Sequence, residues 1–164
     1  MIKRSKDKND EEWRKTKKLG SLLGCYEDMK RRKQLSYAAF NTIKKIWYHR
    51  KIHINKKLQL YKSIVKPVLL YNSGTRGLTK KEQNELEVTH RRQLRTIFNN
   101  KRIRNEKLYK QCKEENISST IKRNKWQLFG HILRLSRNTP AYESMEFYFK
   151  TAKEIKKYPG APRT

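Results

Sequence analysis

The fold of this chain is decided by the segment NKKLQLYKSIVKPVLLYNS, residues 55–73. Its apolar side chains recur at steps of three and four residues, the spacing that places them on one face of an α-helix. These apolar positions are Leu58, Tyr61, Ile64, Val65, Val68 and Leu69. Asn55 can cap this helix and Ser73-Gly74 can end it. Pro67 lies inside the pattern and predicts a kink or a break, because proline donates no backbone hydrogen bond.

Helical patterns flank this segment on both sides. Upstream, apolar residues at three- and four-residue steps predict a helix from Glu27 to about His49. Downstream, Thr79 and Glu82 have the spacing of a capping box and predict the start of a third helix. Ahead of all three helices, the two glycines within residues 16–25 predict a short hairpin.

The last third of the chain also favours helices. Asn105 can cap a short helix, and Ser118 or Ser119 can cap a long one that ends at about Leu135. One or two further turns are expected after Pro140. The predicted fold class is therefore mainly α, a helical bundle of about five helices with a short N-terminal hairpin. The predicted segments are a charged lead-in at 1–15, the hairpin at 16–26, helices at 27–100, a downstream helical region at 101–149 and a flexible basic tail at 150–164.

The charge balance points to a polyanionic partner. The 164 residues include 42 Lys and Arg against 15 Asp and Glu, a formal net charge of +27. A surplus of this size favours binding to nucleic-acid phosphates, and the expected partner is an RNA–DNA or DNA duplex. The alternative is a highly charged, solvated surface or a partly disordered basic protein. No membrane partner is expected, because the longest apolar run, around Val68 to Tyr71, is far shorter than the ~20 residues of a membrane span.

Neither a metal nor a cofactor is expected. Cys25 and Cys112 are 87 positions apart and the four histidines are scattered, so the spacing of zinc ligands is missing. Nucleotidyl transfer needs clustered carboxylates that hold two metal ions, whereas the aspartates are Asp7, Asp10 and Asp28, outside any Y-x-D-D string. We therefore expect no catalytic residues, no small-molecule substrate and no enzymatic activity from this chain alone.

Basic residues cluster at a glycine turn and on two predicted helices. A glycine lets the backbone approach a phosphate closely, and helical lysines and arginines can follow a duplex backbone. The candidate nucleic-acid-binding residues are Lys17, Lys18, Gly20, Lys30, Arg31, Arg32, Lys33, Lys44, Lys45, Arg91, Arg92 and Arg95. The run 30–33 also has the composition of a nuclear-localisation patch, and the N-terminus has no apolar secretory region, so an intracellular, nuclear location is expected.

Two histidines and two tryptophans are predicted to be packed inside the protein. His90 lies four residues from both Leu86 and Leu94, on the apolar face of the third helix. His131 is expected to be buried with one hydrogen bond, beside a close helix contact at Gly130. Trp47 and Trp126 fall within amphipathic helices, and both are expected in the core.

Five strings of sequence, in a fixed order, carry a resemblance to a known family. They are KKLGSLLG (17–24), AAF through IW (38–47), LYKSIVKPVLLYNS (60–73), HRRQLR (90–95) and KWQLFGH (125–131). Together they resemble the thumb and downstream region of the reverse transcriptase of non-LTR retrotransposons, over roughly residues 12 to 149. The chain departs from the family's pattern after Ser73, where Gly74 and Arg76 replace an acidic residue and a tryptophan. Losing this aromatic anchor is expected to weaken packing between the second and third helices.

The resemblance implies a function in RNA-directed DNA synthesis. A thumb holds the template–primer duplex, and Lys17, Lys18 and Gly20 match the turn that the family places beside the primer terminus. The catalytic palm of such an enzyme would precede Met1. The alternatives are an independent basic helical module that binds nucleic acid or acts as an adaptor, and a retrotransposon remnant without a function.

Overall fold

Helices dominate residues 8–99 and 102–154, which are the residues that the computed structural model describes. The predicted mainly α fold with a short N-terminal hairpin is confirmed. The elements are α1 (Lys8–Lys15), β1 (Lys17–Lys18), β2 (Ser21–Leu22), α2 (Cys25–Thr42), α3 (Lys44–Tyr48), α4 (Ile54–Leu60), a π-helical turn (Tyr61–Val65), α5 (Lys66–Leu70), α6 (Lys80–Ile97), α7 (Asn105–Cys112), α8 (Ile117–Leu133) and α9 (Pro140–Glu154).

The chain forms two compact units. We call residues up to Lys125 the N-terminal unit and residues from Trp126 on the C-terminal unit; α8 runs through the boundary. Part of the predicted lead-in is the helix α1, and residues 1–7 lie outside the described residues. Helix α9 extends to Glu154, into the segment predicted to be a flexible tail, and the rest of that tail, 155–164, also lies outside the described residues.

A π-helical turn carries the central helix past Pro67. The backbone N–H of Lys66 bonds to the carbonyl of Tyr61, five residues back, so the wider turn begins before the proline. In an α-helix Pro67 would have to donate to the carbonyl of Ser63, which it cannot do. Helices α4 and α5 therefore follow one another directly, with the predicted irregularity confined to this turn.

The larger core cluster of the N-terminal unit surrounds Tyr61, which is completely buried. Phe40 of α2 and Trp47 of α3 stack with ring centroids 5.0 Å apart. The indole of Trp47 donates to the carbonyl oxygen of Phe40 at 2.8 Å, which holds α3 back against α2. The prediction that Trp47 is a core residue is confirmed. A second cluster joins α2, α5, α6 and α8 and consists of Met29, Leu69, Leu70, Leu78, Leu86, Ile117 and Ile121.

Only some of the predicted helix caps are correct. Thr79 and Glu82 form the predicted capping box, with Thr79 N donating to the Glu82 carboxylate at 2.8 Å. The cap of α4 is His53 rather than Asn55, because His53 Nδ1 accepts the backbone N–H of Asn55. Several polar residues stand near each helix start, and local spacing does not decide between them.

The last two helix starts also differ from the prediction. Helix α7 is preceded by Arg104 as its N-cap, so Asn105 is the first helical residue. At α8 the Asn116 side chain accepts the backbone N–H of Ser119 at 2.7 Å, so neither Ser118 nor Ser119 is the cap.

Two packing predictions in the C-terminal unit are wrong. Trp126 is 62% exposed, and His131 is exposed as well. A Cβ atom added at Gly130 would lie near the guanidinium of Arg134 at 3.5 Å and near no other described residue, so no helix packs closely there. Amphipathic spacing identifies an apolar face, but it does not supply an element that covers it. Helix α9, with 15 residues, is also longer than the one or two turns expected.

Candidate nucleic-acid interface

The hairpin turn is fixed to the first turns of α2 by arginines. Gly20, with φ of +80°, presents its carbonyl oxygen to Arg31 at 2.8 Å and to Arg32. The hydroxyl of Tyr71 donates to the carbonyl of Leu19 at 3.0 Å. These contacts use the turn's carbonyls, and they leave the two lysines of β1 exposed to solvent.

A buried ion network lies under this turn. Asp28 is fully buried, and its carboxylate lies 3.5 Å from Arg32 Nε and 3.6 Å from Arg76 Nε. Its Oδ1 also accepts the backbone N–H of Leu22 at 3.0 Å, which ties β2 to α2. Burial lowers the pKa of Arg76; the charge of Asp28 opposes this shift and that of Arg32 adds to it. One carboxylate is therefore shared by two buried guanidinium groups, and the network keeps a net charge of +1.

Arg76 lies in the loop between α5 and α6, at one of the two positions where the sequence predicts weaker packing. Only 4% of its surface is exposed, and its guanidinium donates to the backbone carbonyls of Tyr71 and Asn72. Together with the ion pair to Asp28, these bonds connect the loop after α5 to α2. This part of the chain is therefore held to α2 by polar contacts.

Several other candidate cations are also held by groups within the protein. Lys33 forms an ion pair with Glu85 at 3.0 Å between α2 and α6. Arg91 lies 3.7 Å from the carboxylate of Glu87. Arg95 donates to the carbonyl of Ile103 and to the Asn105 side chain, and so joins α6 to the start of α7. The partners of these three cations limit their availability to an external phosphate.

Lys44 and Arg92 come together in an open groove between α2–α3 and α6. The groove has a volume of about 290 Å³, and both cations are exposed. Its described lining residues include no carboxylate and are Tyr37, Phe40, Asn41, Lys44, Tyr48, Arg92, Gln93 and Thr96. Lys45, also exposed, lines an adjoining hollow that shares Asn41, Lys44 and Tyr48 with the groove. We call these residues the cationic groove.

The sequence predictions missed three polar residues of the cationic groove. Tyr37, Asn41 and Tyr48 form a stripe with Lys44 at steps of four, three and four residues. This is the helical spacing that also identifies apolar faces, so the signal was available in the sequence. Tyr48 is 54% exposed, which places its ring beside the two cations at the surface.

A buried polar chain fixes the floor of the groove. Gln93 accepts a hydrogen bond from Tyr61 at 3.0 Å and donates to Ser36 at 2.9 Å, and thereby links α6 to the π-turn and to α2. Tyr61 also bonds to His90 Nδ1 at 2.7 Å, while His90 Nε2 has no hydrogen-bond partner among the described residues. Burial lowers the pKa of His90 to about 4, and the charge of Lys66 adds to this shift. His90 is a packed core histidine, as predicted.

Other carboxylates of the N-terminal unit are occupied away from the groove. Glu114 pairs with Lys62 at 2.9 Å and with Lys66, and these hydrogen bonds hold its pKa below the usual value against the opposing effect of burial. Glu87 accepts the backbone N–H of Ile117 at 2.6 Å and the hydroxyl of Tyr109, and burial raises its pKa. These acids stabilise helix junctions.

Within the described ranges, His, Cys, Asp and Glu form no group of three that could hold a metal ion. No helix there is both long enough and apolar enough to cross a membrane. Comparison with protein-family models, with curated proteins and with solved structures finds no match for this chain. The fold and the site therefore define a class only, a strongly basic helical protein with an open cationic groove.

Proposed function

We propose that this chain binds an RNA–DNA or DNA duplex through its phosphates, as the thumb and downstream region of a non-LTR retrotransposon reverse transcriptase. In this function it holds the template–primer duplex for a catalytic palm that the chain does not contain. The observation that carries the proposal is the cationic groove, in which Lys44 and Arg92 face solvent beside polar side chains. The ordered sequence strings support the assignment to RNA-directed DNA synthesis.

The candidate cations fall into two groups, those that contact phosphates and those that position the hairpin and α6. In this proposal the exposed cations contact phosphates, and they are Lys17, Lys18, Lys30, Lys44, Lys45 and Arg92. The engaged cations hold the hairpin and α6 in place, and they are Arg31, Arg32, Lys33, Arg91 and Arg95. Gly20 acts through its carbonyl oxygen, which accepts from two of these arginines.

The length of α2 suits a duplex backbone. Lys30 lies in its second turn and Lys44 lies just beyond its end, 14 residues further on, which is about 21 Å at 1.5 Å per residue. This distance corresponds to roughly six base pairs at 3.4 Å each. Several phosphates can thus be bound at once, with little sequence preference, because phosphate contacts carry no base information.

The proposal includes no catalysis by this chain. Asp28 is buried between two arginines, and that environment favours an ion pair over a metal ion. Extension of a primed template by the purified chain, above a mock preparation, would contradict this part of the proposal.

Duplex binding at the groove is tested by fluorescence anisotropy over a range of salt concentrations. The variant K44Q/K45Q/R92Q removes three charges from the groove region. The control K107Q/K110Q/K113Q removes three exposed charges from α7 and its C-terminus. We expect the groove variant to reduce the slope of log affinity against log salt by about 2 to 3, at ~0.9 per phosphate.

The control variant distinguishes duplex binding at the groove from binding driven by net charge. It should change the slope by much less than the groove variant, equally for unrelated duplex sequences. Equal losses for both variants would show that net charge alone drives binding. The retrotransposon origin has its own test in the upstream reading frame, where a palm with a Y-x-D-D string is expected and an independent promoter and start would contradict it.

A further inference from the structure

A second group of exposed cations lies where the chain passes from α3 to α4. Residues 49–53 join the two helices, and Lys56 follows in the first turn of α4. Arg50, Lys51 and Lys56 are exposed, and none of them has a carboxylate partner among the described residues. We call these three residues the loop cations.

Acidic residues are missing from a long stretch of sequence around the loop cations. Residues 29–81 contain 15 Lys and Arg and no Asp or Glu. Two glutamates of other elements reach this stretch, and each pairs with a lysine outside the loop. Glu85 lies 3.0 Å from Lys33, and Glu114 lies 2.9 Å from Lys62. The loop cations are thus left without a local counter-charge, which favours a polyanionic ligand.

Buried side chains fix the backbone on both sides of the loop. The amine of Lys57, only 8% exposed, donates to the carbonyl oxygen of Trp47 at 2.7 Å and so joins α4 to α3. The indole of Trp47 is in turn bonded to Phe40 of α2. His53 Nδ1 accepts the backbone N–H of Asn55 at the start of α4. A loop that is fixed before binding loses less conformational entropy when its cations meet a ligand.

The loop continues directly from the cationic groove. Tyr48, the last residue of α3, lines the groove, and Arg50 stands two positions further along the chain. Lys44 and Lys45 lie at the start of the same five-residue helix, which is about 7.5 Å long at 1.5 Å per residue. Because each strand of a duplex carries a phosphate every ~3.4 Å along the axis, one backbone can pass both the groove and the loop.

We propose that the loop cations form a second contact with the phosphodiester backbone of the duplex held in the groove. They extend the bound surface around α3 and onto the start of α4. The ligand atoms are phosphate oxygens, so this contact adds affinity without adding sequence preference. The inference rests on the proposed duplex binding and names a further contact surface for the same ligand.

Fluorescence anisotropy with a blunt duplex tests this contact. The variant R50Q/K51Q/K56Q removes the three loop cations, and the control K80Q/K81Q/K122Q removes three exposed charges from the start of α6 and from α8. We expect the loop variant to reduce the slope of log affinity against log salt by about 2 to 3, at ~0.9 per phosphate, and the control to change it much less. Combined with K44Q/K45Q/R92Q, the two reductions should add, because one duplex touches both surfaces.

The other outcomes separate this inference from duplex binding itself. A loop variant that behaves like the control, while the groove variant keeps its effect, overturns the loop contact and leaves the groove in place. If neither variant differs from the control, the proposed duplex binding fails as well. A stoichiometry of two duplexes per chain, measured by sedimentation, overturns the single extended surface. R50Q/K51Q leaves α4 unchanged and serves as a second variant, with an expected slope reduction of about 1 to 2. Circular dichroism checks that each variant retains its helices.

Discussion

The two ends of α2 use the same kinds of residue in opposite ways. At the hairpin end, Arg32 is buried against Asp28 and bonds to the Gly20 carbonyl, so its charge is used within the protein. At the other end, Lys44 and Arg92 are exposed in a groove whose described lining has no carboxylate. The contrast shows that the exposure of a basic cluster depends on whether an acidic side chain lies nearby, and that net charge alone does not reveal which cations are free to meet a ligand.

The largest expected effect is on stability at the hairpin end. Replacing Asp28 by asparagine leaves Arg32 and Arg76 buried without a counter-charge. Removing one partner of a buried ion pair is expected to cost about 3–5 kcal/mol of unfolding free energy, measured by urea denaturation. The groove variant K44Q/K45Q/R92Q should change the same quantity by less than about 0.5 kcal/mol, because its side chains are exposed.

The opposite order of stabilities for these two variants would contradict the comparison between the ends of α2. If D28N were as stable as the parent protein while the groove variant unfolded, the structural cations would lie at the groove and the exposed ones at the hairpin.

A smaller effect on stability is expected from His90, which belongs to the buried polar chain beneath the groove. The pKa of His90 falls from 6.5 to about 4 on folding, mainly because the ring is buried. The unfolded chain therefore binds a proton first as the pH drops, and stability present above pH 6.5 is lost between about pH 6.5 and 4. The loss attributable to this group is on the order of 3 kcal/mol.

The variant H90Q isolates this effect. As the pH falls, the raised pKa of Glu87 increases the unfolding free energy and the lowered pKa of Glu114 decreases it. Both glutamates are present in the parent and in H90Q, so comparing the two proteins removes these contributions. The difference in unfolding free energy between the parent and H90Q should shrink steadily from pH 7 to pH 4. A constant difference would mean that the His90 ring does not titrate in this window.

Much of the fold was predictable because its signals are local. The capping box at Thr79, the hairpin glycines and the three- and four-residue apolar steps each depend on a few neighbouring residues. The pair Asp28 and Arg32 stands at the i and i+4 positions, so their ion pair left a signal in the sequence, whereas its burial did not.

The candidate site was less predictable because it depends on contacts between distant segments. Ser36 meets Gln93 across 57 positions, and Lys33 meets Glu85 across 52. These pairs set the register of α2 against α6, and that register brings Lys44 and Arg92 to one groove. No local pattern specifies it. The exposure of Trp126 was missed for a related reason, since a helical apolar face does not reveal what lies opposite.

The smallest effect is expected from replacing Tyr48, and it distinguishes a duplex ligand from one with unpaired bases. In a duplex the bases are stacked on each other, so an exposed tyrosine beside the backbone contributes little. We expect Y48A to change duplex affinity less than twofold in the anisotropy assay. A loss of about 1–3 kcal/mol, the range of base–aromatic stacking, would indicate that the groove binds unpaired bases instead.

Lysine acetylation followed by mass spectrometry tests the central claim most directly, because it measures each exposed amine with and without a saturating duplex. The proposed phosphate contacts predict that Lys44 and Lys45 become protected on binding, together with the exposed Lys17, Lys18 and Lys30. Lys107 and Lys110 on α7, which are also exposed, should react equally in the free and the bound state. Uniform protection of all these lysines, or protection of the α7 pair alone, would contradict the assignment of the cationic groove as the duplex-binding surface.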